Sequence, residues 1–368
     1  MNPKNIKSNN HLDSILIIRR TTMKSIVLTG GGTAGHVMPN IALLPHLTKH
    51  FDEIYYIGSH NGIEKKIISQ YPNVKYIEID TVKLLRKITL RNLLIPFRLI
   101  KAISQSKKIL KQINPSVIFS KGGYVAVPVV LAAASLHIPI IAHESDSSIG
   151  LANKIIYRKC TAMYFSFREA MNGYEKKGHF SGSPVRPEFL TKDYSRPNIK
   201  LDKEKKTILV VGGSLGAKAL NKIIIESLPI LSDYNVINIV GKGNTQPNTY
   251  PNYHQLEYVD NISDYFKISD IIISRAGSNT IFEILATKTP MILIPLPKTE
   301  SRGDQIINAN IFQDKGYSIV MEQENITPNR LISTIKDVLV NQNTYIKNMQ
   351  KCNDYDGVDI IKNKIEQF

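Results

Sequence analysis

The chain has 368 residues, 42% hydrophobic and 21% charged, an ordinary globular composition with length for two domains. Its only cysteines, Cys160 and Cys352, exclude a disulfide framework and a cysteine-built zinc site, and they fit a reducing compartment. The net charge of +16 points to an anionic partner: nucleic acid, an anionic membrane or a phosphorylated substrate.

Residues 1–22 read as an extension ahead of the first strand and are expected to be poorly ordered, with Met23 as an alternative start. Ser14-Ile-Leu-Ile-Ile18 is too short to span a bilayer, and Arg19-Arg20 follows it, the wrong side for a secretory signal. No apolar run reaches the roughly 18–20 residues a membrane span needs.

Short apolar strands then alternate with helix-like sequence. Ser25–Thr29, Ile54–Ile57, Val117–Phe119 and Ile138–Ile141 form one series. The pattern restarts at Thr207–Val211 and continues through Val236–Val240, Ile271–Ile273 and Met291–Ile294. Continuous apolar runs between amphipathic segments indicate parallel strands covered on both faces. The polar stretch 191–206 separates the two series and reads as a linker. The expectation is an α/β protein with two Rossmann-like, doubly wound parallel-sheet domains, 23–190 and 207–344, facing across a cleft. Ligands in such sheets bind outside the carboxyl ends of the strands.

The glycines sit at those ends. Gly30-Gly31-Gly32-Thr33-Ala34-Gly35-His36 lies between a strand and a helix, where backbone amides face a phosphate or simply close a tight turn. The spacing matches a dinucleotide fingerprint, but that fingerprint expects an acid closing the second strand. Here the strand ends Ile57-Gly58-Ser59, which weakens a nicotinamide reading. His36, at the helix entrance, is either a structural histidine or a general base.

The stretch from Thr81 to His143 contains no Asp or Glu but ten basic residues: Lys83, Arg86, Lys87, Arg91, Arg98, Lys101, Lys107, Lys108, Lys111 and Lys121. Within 81–112 they alternate with Leu, Ile and Phe, a pattern that suits anionic lipid. The other reading is an ordinary core beneath a solvated face. No nucleic-acid motif or aromatic platform accompanies the charge, so no nucleic-acid partner is expected.

Gly182-Ser-Pro-Val-Arg186 lies near the domain junction, and Arg186 could serve an anionic ligand. Gly212-Gly-Ser214-Leu-Gly216 repeats the glycine turn, with Ser214 offering a hydroxyl to a diphosphate. In Arg275-Ala-Gly-Ser278-Asn279-Thr280, Ser278 or Asn279 is a candidate N-cap. Glu283 either complements the helix dipole or accepts hydrogen bonds from a ribose. Gln305, in Ser301-Arg-Gly-Asp-Gln305, both donates and accepts, which suits a sugar hydroxyl. Asp354-Tyr-Asp356 is read as solvated surface in a polar tail, and no essential metal or other cofactor is expected.

Together these motifs resemble the MurG family of UDP-N-acetylglucosamine transferases, from about Met23 to the C-terminus. The anchors are Gly31–His36, Lys121-Gly-Gly-Tyr124, His143-Glu144, Gly182–Arg186, Gly212–Gly216, Arg275–Glu283 and Gly303-Asp-Gln305. The resemblance implies the GT-B architecture, with residues 345–368 crossing back to the N-terminal domain. It implies an inverting, metal-independent transfer of N-acetylglucosamine from UDP-N-acetylglucosamine. The acceptor is the C4 hydroxyl of undecaprenyl-diphosphate-linked N-acetylmuramyl-pentapeptide, at the cytoplasmic face of the cell membrane. The alternative is another GT-B enzyme, such as a diacylglycerol glucosyltransferase.

The resemblance also implies roles. The donor would meet Ser214 at its phosphates, Val259 near its uracil, Glu283 at its ribose and Gln305 at its sugar. Arg186, Ser278, Asn279 and Thr280 would complete that site, with Thr33, Ala34 and Gly35 on the cleft floor. Gly31, Gly32, Lys121, Gly122 and Gly123 would face the acceptor diphosphate. His36 would be the base. Ala34 stands where many members have glycine, and Asp146 where many have asparagine, making Asp146 an alternative base.

Overall fold

The computed structural model describes residues 23–81, 95–213 and 216–368. The extension 1–22, the basic residues Lys83, Arg86, Lys87 and Arg91, and Ser214 therefore lie outside the described residues.

The first sheet has seven strands: β1 (Ser25–Thr29), β2 (Glu53–Ser59), β3 (Val74–Ile79), β4 (Val117–Ser120), β5 (Ile140–Glu144), β6 (Ala162–Phe165) and β7 (Gly178–Phe180). Their order is β3-β2-β1-β4-β5-β6-β7, and every neighbouring pair is parallel. The helices of this half are α1 (Met38–His50), α2 (Ile63–Ile68), α3 (Ile95–Ile113), α4 (Ala126–Ser135), α5 (Leu151–Tyr157) and α6 (Pro187–Leu190). Ile26, Val27 and Leu28 of β1 are fully buried, as are Val117, Ile118 and Phe119 of β4. A strand apolar on both faces is stable only with helices on both sides, which parallel crossovers supply.

The second sheet has six strands: β8 (Lys206–Val211), β9 (Tyr234–Ile239), β10 (Tyr253–Leu256), β11 (Ile271–Ser274), β12 (Met291–Leu293) and β13 (Ser318–Val320). Their order is β10-β9-β8-β11-β12-β13, again all parallel. The remaining helices are α7 (Lys218–Ser227), α8 (Ile262–Lys267), α9 (Ser278–Thr287), α10 (Asp304–Asp314), α11 (Pro328–Val340), α12 (Gln342–Gln350) and α13 (Gly357–Ile365). In both sheets the strand order reverses beside the first strand, between β1 and β4 and between β8 and β11. The glycine turns leave from these switch points, where crossovers depart to opposite faces and leave a crevice.

The strands absent from the sequence reading are β3, β6, β7, β10 and β13. β3 carries Lys75 and Glu78 among its apolar residues, and β7 and β13 have three residues each, so none shows a long apolar run. The strand expected from Ile138 starts at Ile140, because His137 adopts φ +57 in the turn after α4.

The two halves share apolar packing. Phe167, after β6, meets Phe282 of α9 at 5.1 Å and Phe312 of α10 at 6.2 Å. Phe189 of α6 meets Phe266 of α8 at 5.3 Å. The chain then returns to the first half. Val358, Ile361 and Ile365 of α13 are buried in one cluster with Ile26, Leu28, Leu43, Leu47 and Tyr56.

Asp354-Tyr-Asp356 is only partly solvated: Asp356 is exposed, but Asp354 and Tyr355 are half-buried and the segment is tied to distant residues. Asp354 accepts through its carbonyl from the Ser183 amide at 2.6 Å and pairs through its carboxylate with Lys315 at 3.3 Å. Lys288 sits 3.7 Å over the Tyr355 ring, and Asp356 bridges to Pro184. The composition did not reveal these ties because the partners Ser183, Pro184, Lys288 and Lys315 lie far away in sequence.

Gly182 makes that crossing possible. Its φ is +73, and a Cβ there would lie 2.1 Å from the Asp354 carbonyl oxygen. Gly182→Ala is expected to lower stability by about 2 kcal/mol or more, because backbone strain and overlap add. A urea unfolding midpoint equal to that of the parent chain would contradict this.

Candidate functional site in the cleft between the sheets

The first glycine turn is tied down on all sides. Tyr56 donates to the Gly30 carbonyl at 2.7 Å, and Asn40 Nδ2 donates to the His36 carbonyl at 3.2 Å. Gly30 approaches closely because a Cβ would lie 2.4 Å from that His36 oxygen. A short 3-10 turn, Ala34–His36, then leads into α1, and Thr33 Oγ1 lies 2.9 Å from His36 Nδ1. Thr33 and Gly35 are exposed, and Ala34 and His36 are half-buried.

The Lys121–Tyr124 segment packs against this turn. Gly123 has φ +78, and a Cβ would lie 2.4 Å from the Gly31 carbonyl oxygen. Gly122 has φ +83 and faces Asn153. Both glycines are thus required by internal contacts. A cavity of about 500 Å³ opens beside them, lined by Ser59, His60, Gly62, Arg98, Lys101 and Tyr124 among others.

The loop after β5 bridges the cleft. Lys121 Nζ donates to Ser145 Oγ at 2.5 Å, and Ser145 Oγ donates to Asn279 Oδ1 at 3.3 Å. Ser278 Oγ donates to the Ser145 carbonyl, and Asn279 Nδ2 donates to the Gly35 carbonyl at 3.1 Å. Further along, Asn308 Oδ1 accepts from the Ser147 amide at 3.0 Å, while its Nδ2 donates to Asp146 Oδ1 at 3.2 Å and the Ala276 carbonyl at 3.3 Å. Ser148 Oγ donates to Asp304 Oδ1 at 2.6 Å.

Two expectations for α9 need correction. Neither Ser278 nor Asn279 is the N-cap: Gly277 holds that place with extended backbone, which frees both side chains to reach across the cleft. Glu283 lies beyond the first turn, so it does not complement the helix dipole there. It accepts from Arg186 Nε at 3.1 Å and Nη2 at 3.0 Å, and Arg186 also pairs with Glu188 at 3.0 Å. Burial raises the Glu283 pKa and Arg186 opposes that rise. Both N–H groups converge on one carboxylate oxygen, Oε1, a charge-assisted contact that holds the two side chains together.

The other expected donor residues are placed as follows. Gln305, at the start of α10, accepts from the Leu296 amide at 3.0 Å. Thr280 is half-buried in the first turn of α9. Val259 is half-buried in the loop after β10 and packs against the core. Arg275 is spent internally, on the carbonyls of Ile294 and Pro295 and on Gln323. Gly213 and Gly277 border open space, with nothing within 4 Å of a Cβ built there.

Charge decides what the floor of the cleft can do. Burial first, then the nearby Lys121 and Arg302, together lower the His36 pKa to about 4. The ring is therefore neutral, with a lone pair free to accept a proton. Lys121 itself is buried and falls to about 8, against the pull of Glu144 and Asp146. Asp146 is pushed up by burial and by Glu144, while Asn308 opposes the rise. Among the described residues, no group of three or more His, Cys, Asp and Glu is placed to hold a metal ion.

The sequence reading missed Glu64, Ser145 and Asn308 and gave Glu144 no role beyond that of an anchor of the resemblance. Glu64 lies in Ile63-Glu-Lys-Lys-Ile-Ile68, where an acid reads as exposed. The signal was the glycine two residues before it, which admits its carboxylate. Glu144 accepts from the Asp146 and Gly150 amides and from Asn153 Nδ2, and so shapes the whole loop after β5.

Comparison with known proteins now bears on this arrangement. Residues 26–165 match the glycosyltransferase family 28 N-terminal domain, and residues 207–364 match the corresponding C-terminal domain. A protein of Lachnospira eligens is 46% identical over 351 residues, covering 94% of this chain and 99% of its own. One from Clostridium botulinum is 45% identical over 91% of this chain and 96% of its own. Both are named UDP-N-acetylglucosamine–N-acetylmuramyl-(pentapeptide) pyrophosphoryl-undecaprenol N-acetylglucosamine transferase. This chain belongs to the MurG family of family 28 glycosyltransferases. The crystal structure of Acinetobacter baumannii MurG shares the fold, with a TM-score of 0.71 at 23% identity, over 94% of this chain and all of that one. A kitacinnamycin glycosyltransferase matches with a TM-score of 0.72 at 14% identity, over 93% and 98%. The GT-B arrangement expected for a MurG-family chain is thus the one present.

The His36 environment carries a pH consequence. Its ring is expected to titrate near pH 4 by NMR, not at the ordinary 6.5. Because the unfolded chain takes up this proton first, the stability due to the neutral ring is full above pH 6.5 and is lost as the pH falls towards 4. A ring midpoint near 6.5 in the folded protein would refute the buried, cation-flanked environment.

Proposed function

We propose that this chain transfers N-acetylglucosamine from UDP-N-acetylglucosamine to the C4 hydroxyl of undecaprenyl-diphosphate-linked N-acetylmuramyl-pentapeptide. This is the step from lipid I to lipid II in peptidoglycan synthesis. The observation that carries the reading is the near-full-length identity to transferases named for that reaction, joined to two switch-point crevices that face each other.

The donor belongs to the C-terminal half. Among the described residues, the open space at Gly213 and Gly277 leaves room for a diphosphate near Ser278, Asn279 and Thr280, and Ser214 is the further residue expected to meet it. Glu283 is held by Arg186 with a carboxylate oriented for a ribose, Gln305 stands ready for the sugar, and Val259 for the base. The acceptor belongs to the N-terminal half, along Gly31–Gly35, Lys121, Gly122 and Gly123, with the adjoining cavity available to its head group.

His36 is the general base. Displacement at the anomeric carbon inverts it, releases UDP and requires a proton to leave the acceptor hydroxyl. Lys121 and Arg302 make protonated His36 costly. Bound diphosphate cancels that repulsion and strengthens the base only when substrate is present. Asp146 serves less well, because Asn308 already occupies one of its oxygens.

Radiolabelled donor offered with both lipid acceptors is expected to label the muramyl-pentapeptide lipid; label in diacylglycerol alone would favour the alternative enzyme. His36→Ala is expected to lower kcat by about 10²- to 10⁴-fold with donor KM retained. Near-normal turnover would remove His36 from this role and point to Asp146.

The enzyme works as a peripheral protein on the anionic, cytoplasmic membrane face. No described helix is long and apolar enough to cross a membrane. Phe97 and Ile100 are 70% and 64% exposed at the start of α3, beside exposed Arg98 and Lys101. Apolar side chains flanked by cations suit anionic lipid rather than nucleic acid. Phe97→Ser with Ile100→Ser is expected to weaken sedimentation with phosphatidylglycerol vesicles by about tenfold or more. Unchanged sedimentation would exclude this face of α3.

A further inference from the structure

Lys121 is a buried cation with no carboxylate bonded to it. It follows β4 directly, its exposure is 1%, and among the described residues its ammonium meets one acceptor, Ser145 Oγ at 2.5 Å. Glu144 and Asp146 attract it through space, and the rings of His36 and His143 both feel its charge. An ammonium has three N–H groups, so two are unspent here. Burying a charged donor in this way is costly unless an incoming anion takes up what is left.

Ser145 is itself held from the far side of the cleft. Ser278 Oγ donates to its carbonyl, and its own hydroxyl donates to Asn279 Oδ1 at 3.3 Å. A hydroxyl has a single proton. With that proton committed to Asn279, a lone pair of Ser145 is left for Lys121. The ammonium and the Asn279 carbonyl polarise the hydroxyl in the same sense, which strengthens both bonds.

We propose that Ser145 is a positioning residue whose hydroxyl fixes the Lys121 ammonium, so that its two unspent N–H groups meet the acceptor diphosphate. This rests on the transferase reading above, in which Gly31, Gly32, Lys121, Gly122 and Gly123 face that diphosphate. Because α9 supplies the groups that hold Ser145, the donor half aims the cation of the acceptor half. The donor diphosphate leaves during the reaction, whereas the acceptor diphosphate stays joined to sugar and lipid throughout. A group that only holds the acceptor diphosphate binds ground state and transition state alike, so its loss raises KM and spares kcat.

Ser145→Ala in the full chain is expected to raise the KM for the muramyl-pentapeptide lipid about tenfold, with kcat and donor KM within about threefold. The variant also removes an acceptor from the charged form of Lys121. The basic limb of kcat/KM for the lipid, expected near pH 8 in the parent, therefore moves to lower pH. The Lys121 Nζ resonance, titrated by NMR in the protein alone, is expected to move its midpoint the same way. In a Lys121→Met background, Ser145→Ala is expected to add less than about twofold, because the two residues act as one. An unchanged lipid KM in active Ser145→Ala protein would overturn the proposal. So would a loss confined to donor KM, or the full tenfold cost in the Lys121→Met background. An unchanged Lys121 midpoint in Ser145→Ala would overturn it without any assay of turnover. A parent protein that leaves the muramyl lipid unglycosylated would instead sink the transferase reading, and the Lys121 midpoint would still decide whether Ser145 holds the ammonium.

Discussion

Hydrogen bonds from the first turn of α9 to the backbone of the opposite half hold the cleft together. Asn279 reaches the Gly35 carbonyl, and Ser278 reaches the Ser145 carbonyl. These are side chain–backbone contacts, so they register one loop's path against the other rather than one residue's identity against another. They depend on Gly277 taking the N-cap place, because a side-chain cap at Ser278 or Asn279 would consume the groups that cross. The position of His36 relative to the donor side follows from this pairing. The loop after β5, shaped internally by Glu144, carries the rest of the contact through Ser147, Ser148 and Asp146.

Charge in the cleft is arranged around absence. Buried Lys121 and half-exposed Arg302 face a neutral imidazole, and a buried carboxyl, Asp146, is held above its ordinary pKa. Arg302 is paired with Asp304 at 2.8 Å, whereas Lys121 is buried with Ser145 Oγ as its acceptor, and burying a cation with no carboxylate bonded to it is costly unless an anion is to be bound there. A diphosphate meets that need, and its arrival changes the protonation preferences of every group around it. Binding and the readiness of the base are then one electrostatic event.

Much of this was legible in the sequence, for a physical reason. A parallel strand covered on both faces must be apolar throughout, so Ser25–Thr29 and Thr207–Val211 announced themselves, as did the glycines leaving them. Edge strands such as β3 lack that constraint and were invisible. The side chains that join distant segments were invisible too. Nothing local distinguishes Asn308 from a surface asparagine in an amphipathic helix, or Glu64 from a solvated acid, because their partners lie 161 and 32 residues away. The ties around Asp354 were missed on the same ground: its carbonyl meets the Ser183 amide and its carboxylate meets Lys315, both far away in sequence. Family resemblance supplied roles that periodicity could not, but it did not reveal which glycines serve the protein's own packing.

The path of the last helix bears on how the molecule is made. Val358, Ile361 and Ile365 complete the apolar cluster over β1 and α1, yet they are synthesised after the whole of the second sheet. During synthesis the first domain must wait, with that surface uncovered, until the entire second domain has emerged. Nascent chains with exposed apolar surface are targets for chaperones and for aggregation. The half made first is therefore completed only after the second half, and a ribosome stalled before α13 leaves behind an incomplete N-terminal core.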